Sequence, residues 1–311
     1  MPHFHAFEII PRAPYSFDLT AARFGRFASE VVDLLDGRQY RRLLAAGRQL
    51  ALATVTDVGT VSEPRLAVEL RSRSKAPLQR EAFESQVRRI LCTDLDLKPF
   101  YRLARGNELL APTVKRFRGL RLACSPTLFE ALVGAVLSQQ VNLTFAYSIK
   151  RELVEAFGRR WHVGSRTYWA FPEPRRFAGQ SVEALRPFRL SNAKAGALIR
   201  LGEAFASSTP FPAPPAELNS LSDEELIERL IALKGIGRWT AETALVRSLT
   251  RPDVFPAGDL AVVKYLAQSL LGKTEKATEA EMRTFAEDWR PYRGLALVYC
   301  YAEMGRQRSQ G

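Results

Sequence analysis

The spacing of apolar residues changes once along this 311-residue chain, and the change separates two regions of different fold class. Before about residue 110, apolar and polar residues alternate in short segments such as Arg65 to Arg71, which is typical of half-buried β-strands. From Ser125 onward, apolar residues recur at the spacing of one face of an α-helix. The sequence therefore predicts a mainly α protein, with a small α+β domain over 1–110 and a helical region over 111–311.

Within the first region, three segments predict individual elements. Leu50 to Val55 and Arg65 to Arg71 flank the turn residues Asp57 to Gly59, so they predict a β-hairpin. Phe7 to Ile10 predicts another strand, and the apolar face of Arg80 to Cys92 predicts an amphipathic helix. The region after Ser125 is expected to be an all-α bundle, crossed on its surface by the proline-rich stretch Ser207 to Pro215.

Charge and composition restrict the classes of function. The chain has 45 Lys and Arg against 33 Asp and Glu, a net charge of +12, which favours a polyanionic partner such as nucleic acid. With three Cys and three His, a disulfide framework, a four-cysteine iron–sulfur cluster and a His-dependent hydrolase are all disfavoured. There is no apolar stretch of the length that spans a membrane, and we expect a cytoplasmic protein.

The segment 222–249 predicts a helix–hairpin–helix. Ser222 and Glu225 have the spacing of a capping box at the start of the first helix. Gly235 and Gly237 permit a tight reversal with positive φ, while Ile236 between them is expected to enter the core. Because the second helix begins at once, its free N–H groups converge on one point, where a DNA phosphate oxygen would bind.

Two features of this part of the sequence also have ordinary structural interpretations. A Gly-x-Gly between helices fits a simple turn with a glycine C-cap, and Asp259 before an apolar helix fits an N-cap. A dinucleotide-binding fingerprint is excluded, because Thr240 stands where its third glycine is needed and a helix precedes the motif.

Three stretches together resemble the HhH-GPD superfamily of DNA glycosylases, specifically the bacterial 3-methyladenine DNA glycosylase II type: Leu137 to Val141, Leu233 to Lys264 and Trp289 to Ala296. The resemblance covers about 125–305 and is weak before residue 110, where that family carries a small TATA-binding-protein-like domain. It implies a helical HhH-GPD bundle preceded by such a domain.

The resemblance assigns Asp259 as the essential carboxylate. In this family it stabilises positive charge on the sugar as the N-glycosidic bond breaks and orients the attacking water, without metal or cofactor. The target nucleotide is flipped out of the duplex first. The resemblance further implies a base pocket formed by Trp239, Tyr292 and Gln139, and a wedge at Gln140 that fills the gap in the duplex.

The bend residues Gly235, Gly237, Arg238 and Thr240 are predicted to bind the DNA backbone. Family members that also cut the strand use a lysine directly after the bend, and here Trp239 occupies that position, so no Schiff base is expected.

The sequence thus predicts a monomeric, monofunctional glycosylase that removes alkylated purines from damaged double-stranded DNA and initiates base excision repair. Two alternatives remain: a non-catalytic helix–hairpin–helix DNA-binding module, and a glycosylase for deaminated or oxidised bases.

Overall fold

The computed structural model describes residues 3–74, 76–209, 211–213, 217–272 and 274–308. It is mostly helical with an antiparallel sheet near the N-terminus, which confirms the predicted fold class. Pro210, Pro214 and Pro215 of the predicted surface crossing lie outside the described residues. None of the helices in the described part of the chain has the length and apolarity needed to span a membrane.

The N-terminal sheet has five antiparallel strands in the order β1-β5-β4-β3-β2. These strands are β1 His3–Ile9, β2 Leu34–Asp36, β3 Gln39–Ala46, β4 Gln49–Asp57 and β5 Leu66–Ser72. The predicted hairpin is the β4–β5 pair, in which Ala53 lies opposite Leu70. Phe83 and Val87 of the predicted amphipathic helix are buried in the same apolar core as the sheet.

A second hairpin, β6 Arg160–Val163 and β7 Arg166–Trp169, interrupts the helical region. Its Trp161 and Tyr168 pack with Leu43 and Leu52 of the N-terminal sheet. The prediction that the region after Ser125 is entirely α-helical is therefore wrong at this point. The alternation in two four-residue strands is too short to stand out beside helical periodicity, and the pairing depends on the distant sheet.

The remaining elements are helices, and α5 packs directly against α11. The α-helices are α1 Phe17–Ala21, α2 Arg80–Leu91, α3 Lys98–Arg105, α4 Leu110–Arg116, α5 Leu128–Ser138, α6 Leu143–Phe157, α7 Arg175–Ala178, α8 Val182–Leu185, α9 Asn192–Ala206, α10 Asp223–Ile231, α11 Arg238–Ser248, α12 Ala267–Leu271, α13 Glu279–Phe285 and α14 Arg293–Arg308. A π-helical segment Ala261–Leu266 leads into α12, and 3-10 turns lie at Arg186–Phe188 and Glu287–Trp289.

The two apolar cores divide the chain earlier than the expected boundary. The core of the sheet ends with α2 apart from Ala123, whereas Phe100 and Leu110 of α3 and α4 belong to the core of the bundle. The boundary at residue 110 stays a prediction, and the packing favours a division near the end of α2.

Candidate active site

The bend between α10 and α11 forms as the sequence predicts, with one correction. The capping box of Ser222 and Glu225 starts α10, and Ile236 is buried in the bundle core. Gly235 has a φ of +99°, and a Cβ there would lie 2.8 Å from the Cβ of Ala197. Gly237 has a φ of −89° and open space around it, so the expectation of positive φ is wrong for this residue, which instead is the N-cap of α11.

The start of α11 presents a row of free amides. Within the described residues, the backbone N–H groups of Gly237, Arg238, Trp239 and Thr240 have no hydrogen-bond partner. Such a row at a helix N-terminus, next to an exposed glycine, is suited to binding an anionic oxygen.

The side chains around the bend are engaged with the protein itself. Arg238 donates to Glu224 at 2.8 and 2.6 Å and to Glu242 at 3.1 Å. The buried hydroxyl of Thr240 accepts a hydrogen bond of 2.9 Å from Nε2 of Gln139, which also donates to the carbonyl of Gly235 at 3.2 Å. The amides, rather than these side chains, therefore remain available for hydrogen bonding at the bend, and Gln139 connects the end of α5 to the bend.

Asp259 lies beside the bend and uses both carboxylate oxygens. Oδ1 accepts a hydrogen bond of 2.8 Å from the amide of Ala261, as an N-cap does. Oδ2 accepts a hydrogen bond of 3.1 Å from Nε1 of Trp239. The carboxylate is partly exposed, so it is fixed in orientation and still accessible.

A cavity of about 40 Å³ opens next to Asp259. Thr243, Val246 and Arg247 of α11 form one wall, and Leu297, Val298 and Tyr301 of α14 form another. Burial raises the pKa of Tyr301 well above its ordinary value, and the neighbouring negative charge of Asp259 raises it further. Tyr301 therefore faces the carboxylate as a neutral phenol.

Sequence reasoning missed Arg247 and Tyr301. Arg247 follows Trp239 and Thr243 at successive four-residue steps, which places all three on one face of α11. The four-residue spacing in the sequence could therefore have identified Arg247 as a neighbour of Trp239. Tyr301 needs knowledge of which face of α14 turns towards Asp259, and this depends on the packing of the whole bundle.

Tyr292 and Gln140, which the sequence predicts at the site, are not among the described residues that line the cavity beside Asp259. The ring of Tyr292 is 5.8 Å from that of Phe100, and Tyr292 is not part of the cavity wall beside Asp259 that the described residues form. Gln140 is exposed in the turn between α5 and α6 with a φ of +54°, in the left-handed region that non-glycine residues rarely adopt.

Comparison with known proteins identifies the family. Residues 133–291 match the HhH-GPD superfamily base excision DNA repair protein, a segment that begins in α5 and includes both the bend and Asp259. The chain belongs to the HhH-GPD superfamily. This HhH-GPD protein is 28% identical to the DNA-3-methyladenine glycosylase of Bacillus subtilis (strain 168), over 94% of this chain and 96% of that protein.

Two further relatives align with the HhH-GPD protein over almost their whole length. DNA-3-methyladenine glycosylase 2 of Escherichia coli (strain K12) is 27% identical over 94% of this chain and 96% of its own. The solved 3-methyladenine DNA-glycosylase from Archaeoglobus fulgidus superposes with a TM-score of 0.77 at 25% identity, covering 95% of this chain and 98% of its own. The similarity thus includes the N-terminal sheet, where the sequence alone gave a weak resemblance.

Proposed function

We propose that this HhH-GPD protein is a monofunctional DNA glycosylase that hydrolyses the N-glycosidic bond of alkylated purines of the 3-methyladenine type in duplex DNA. The observation that carries the proposal is the position of Asp259, which is hydrogen-bonded to Trp239 of the bend and open to a cavity. The names of the relatives from B. subtilis and E. coli support the substrate class.

In the proposed reaction, the free amides of the bend bind a DNA phosphate and hold the flipped nucleotide near Asp259. The exposed Gln140 enters the gap left in the duplex. Trp239 offers an aromatic face to a cationic base beside the carboxylate that its Nε1 contacts. Tyr292 and Gln139 are the other residues proposed to form the base pocket.

Asp259 then stabilises the positive charge that develops at C1′ as the bond to the base breaks. An alkylated purine already carries positive charge, so it leaves as a neutral base. Water adds to C1′ and gives up a proton to Asp259 or to solvent. Trp239 cannot form an imine with the sugar, which supports hydrolysis without strand cleavage.

The test is Asp259→Asn, measured as release of 3-methyladenine from methylated duplex DNA under single-turnover conditions. Loss of the carboxylate charge should slow release by about 100-fold or more, while DNA affinity stays within about twofold. A strand-cleavage assay on the same duplex should show no nick without alkali.

Three results would contradict the proposal. Release at the wild-type rate by the Asn variant would remove Asp259 from the chemistry. A wild-type protein that binds duplex DNA but releases no base would be a DNA-binding module, and release of only hypoxanthine, uracil or 8-oxoguanine would move the substrate class to deaminated or oxidised bases.

A further inference from the structure

The β6–β7 hairpin and the turn beside it carry a dense set of arginines that the candidate active site does not use. Segments 47–49 and 158–180 contain six arginines and a single carboxylate, that of Glu173. The arginines are Arg48, Arg159, Arg160, Arg166, Arg175 and Arg176. These six residues form the hairpin surface, and all of them except Arg159 are exposed.

Direct contacts hold the parts of the hairpin surface together. The guanidinium of Arg159 donates to the carbonyls of Gly47 and Arg48, each at 3.1 Å, which fixes the β3–β4 turn beside the hairpin. Arg159 also pairs with Glu173 at 2.9 Å, and Arg175 pairs with the same carboxylate at 2.7 Å. The turn, the hairpin and the start of α7 therefore present their arginines on one continuous surface.

The positive charge of the hairpin surface is largely uncompensated. Its one carboxylate, Glu173, is already shared by Arg159 and Arg175. Within the described residues, four of its arginines form no ion pair: Arg48, Arg160, Arg166 and Arg176. A guanidinium carries planar donors that match the oxygens of a phosphate, so these four side chains are suited to a polyanion.

The hairpin is a rigid support for its arginines. Its inner side packs on the N-terminal sheet through Trp161 and Tyr168. The guanidinium of Arg160 lies 5.8 Å from the ring of Trp169, and that of Arg166 lies 5.9 Å from the ring of Tyr168. Side chains supported in this way lose less freedom on binding than side chains of a mobile loop.

The hairpin surface lies at the opposite end of the bundle from the turn that carries Gln140. Helix α6 begins just after Gln140, and α9 begins beside it, where Lys194 donates to the carbonyl of Leu137 at 2.9 Å. Both helices have 15 residues, a length of about 22 Å. The far end of α6 leads into the hairpin, and Gly202 near the far end of α9 packs against Ala178 of α7.

Duplex DNA fits the hairpin surface better than an acidic peptide does. Each strand of B-DNA carries phosphates about 3.4 Å apart along the helix axis, in a fixed geometry. Arg160 and Arg166 lie near opposite ends of the hairpin, about 10 Å apart along it, so they can reach separate phosphates of one backbone. An acidic peptide would first have to be ordered, which costs free energy.

We propose that the hairpin surface binds the phosphate backbone of a second segment of duplex DNA while the bend holds the first. The inference rests on the proposed binding of DNA at the bend and goes beyond base release, because it does not need Asp259 to act. A protein that holds two segments can pass from one to the other without dissociating, which assists the search for damaged bases.

The experiment measures capture of a second duplex by a protein–DNA complex. Protein is bound to an immobilised duplex, and a fluorescent duplex of unrelated sequence is titrated at about 0.1 M salt. For the triple variant Arg160→Ser, Arg166→Ser, Arg176→Ser, capture should weaken at least about 30-fold, because three phosphate contacts and their counterion release are lost. The slope of log K against log salt concentration should become shallower by about three.

The matched control removes three arginines that are also exposed but lie outside the hairpin surface: Arg65→Ser, Arg102→Ser and Arg105→Ser. It lowers the net charge by the same amount, and its capture of the second duplex should stay within about threefold of wild type. Both triple variants should bind the immobilised duplex with the wild-type Kd, because none of the changed residues belongs to the bend.

Mass photometry counts the molecules in the captured complex, and one protein with two duplexes is the expected result. The inference is overturned if wild-type protein captures no second duplex, if the two triple variants weaken capture equally, or if every captured complex contains two proteins. It is also overturned if polyglutamate displaces the second duplex as well as unlabelled DNA does, because the surface would then accept acidic polypeptides.

Two further measurements keep the result interpretable. If thermal unfolding shows that the triple variant is not folded, the double variant Arg166→Ser, Arg176→Ser retains Arg160 beside Trp169 and should change the salt slope by about two. Base release is assayed on the same protein. Capture without any base release would contradict the proposed function and support the second DNA-binding surface.

Discussion

The two oxygens of Asp259 are held by different parts of the bundle. Oδ1 accepts the amide of Ala261 at the start of the π-helical segment, and Oδ2 accepts the indole N–H of Trp239 from the bend. The N-cap interaction and the proposed catalytic role are therefore compatible. The cap fixes the side chain, and the fixed side chain presents its second oxygen towards the bend.

Replacing Trp239 with Phe should separate the hydrogen bond from the aromatic ring. Trp239→Phe keeps a ring beside Asp259 but removes the donor to Oδ2, so the carboxylate is held less firmly. We expect release of 3-methyladenine to slow about tenfold, the effect of losing one hydrogen bond to a charged group. The same change at Trp169, on the second hairpin, is the control. Equal rates for Trp239→Phe and wild type would show that the indole N–H is not needed.

For single residues, the sequence identifies the side chains of the candidate site more reliably than it identifies the contacts that those side chains form. Asp259 and Trp239 stand in recognisable motifs, and the structure brings them together. One partner of Arg238 was foreseeable and one was not: Glu242 stands four residues later in α11, whereas Glu224 belongs to the preceding helix and meets Arg238 only across the bend. Tyr301 was missed for the same reason, since its position relative to Asp259 is set by tertiary packing.

The two glycines of the bend differ in backbone conformation and in the space around them. Gly235→Ala places a Cβ against Ala197 and forces alanine to a φ of +99°, so it should destabilise the protein by about 1–3 kcal/mol. Gly237→Ala meets no atom and has an ordinary φ, so its thermal unfolding midpoint should stay close to that of wild type.

DNA binding then distinguishes a ligand site from a simple turn. If the open space at Gly237 admits a phosphate to the free amides, the methyl group of Gly237→Ala should weaken binding to duplex DNA about tenfold at fixed salt concentration. Fluorescence anisotropy with a labelled duplex measures this. Unchanged affinity in a stable Gly237→Ala protein would show that the bend serves only to join two helices.

At the scale of elements, the long periodic segments were predictable and the short ones were not. The α6 helix has the bounds that its apolar spacing and Gly158 suggest, and the β4–β5 hairpin follows from alternation around Asp57 to Gly59. The β6–β7 hairpin has only four residues in each strand and depends on contacts with β3 and β4, so local pattern could not reveal it.

The N-terminal sheet and the helical bundle are joined by a buried cluster of charges. Arg42 of β3, only 2% exposed, pairs with Asp33 at 2.6 Å and with Glu130 of α5. Lys150 of α6 extends the cluster by its ion pair with Glu30 at 2.8 Å. The sequence gives no sign of this contact, because its members lie far apart along the chain. Arg23, also from the N-terminal region, donates a hydrogen bond to the carbonyl of Ala123 and is an electrostatic neighbour of Arg247 in the cavity wall.

Arg42→Met should loosen this junction, because Glu130 loses its ion-pair partner and Asp33 keeps only the longer 4.0 Å pair with Lys150. We expect a loss of about 3–5 kcal/mol in the free energy of unfolding at neutral pH, measured by denaturant titration.

The loss should depend on pH. Burial already raises the pKa of Glu130 above its ordinary value with Arg42 present, and without Arg42 this pKa should rise further. A carboxyl whose pKa is higher in the folded state contributes stability that is lost as pH rises through that pKa, so the deficit of the variant should be smaller at pH 5 than at pH 8. The control is Arg41→Met, the neighbouring residue of β3, which breaks a 3.7 Å pair with the exposed Asp36 of β2 and should change stability by under about 1 kcal/mol. If both variants lose equally little, the buried charges are not what holds the sheet to the bundle.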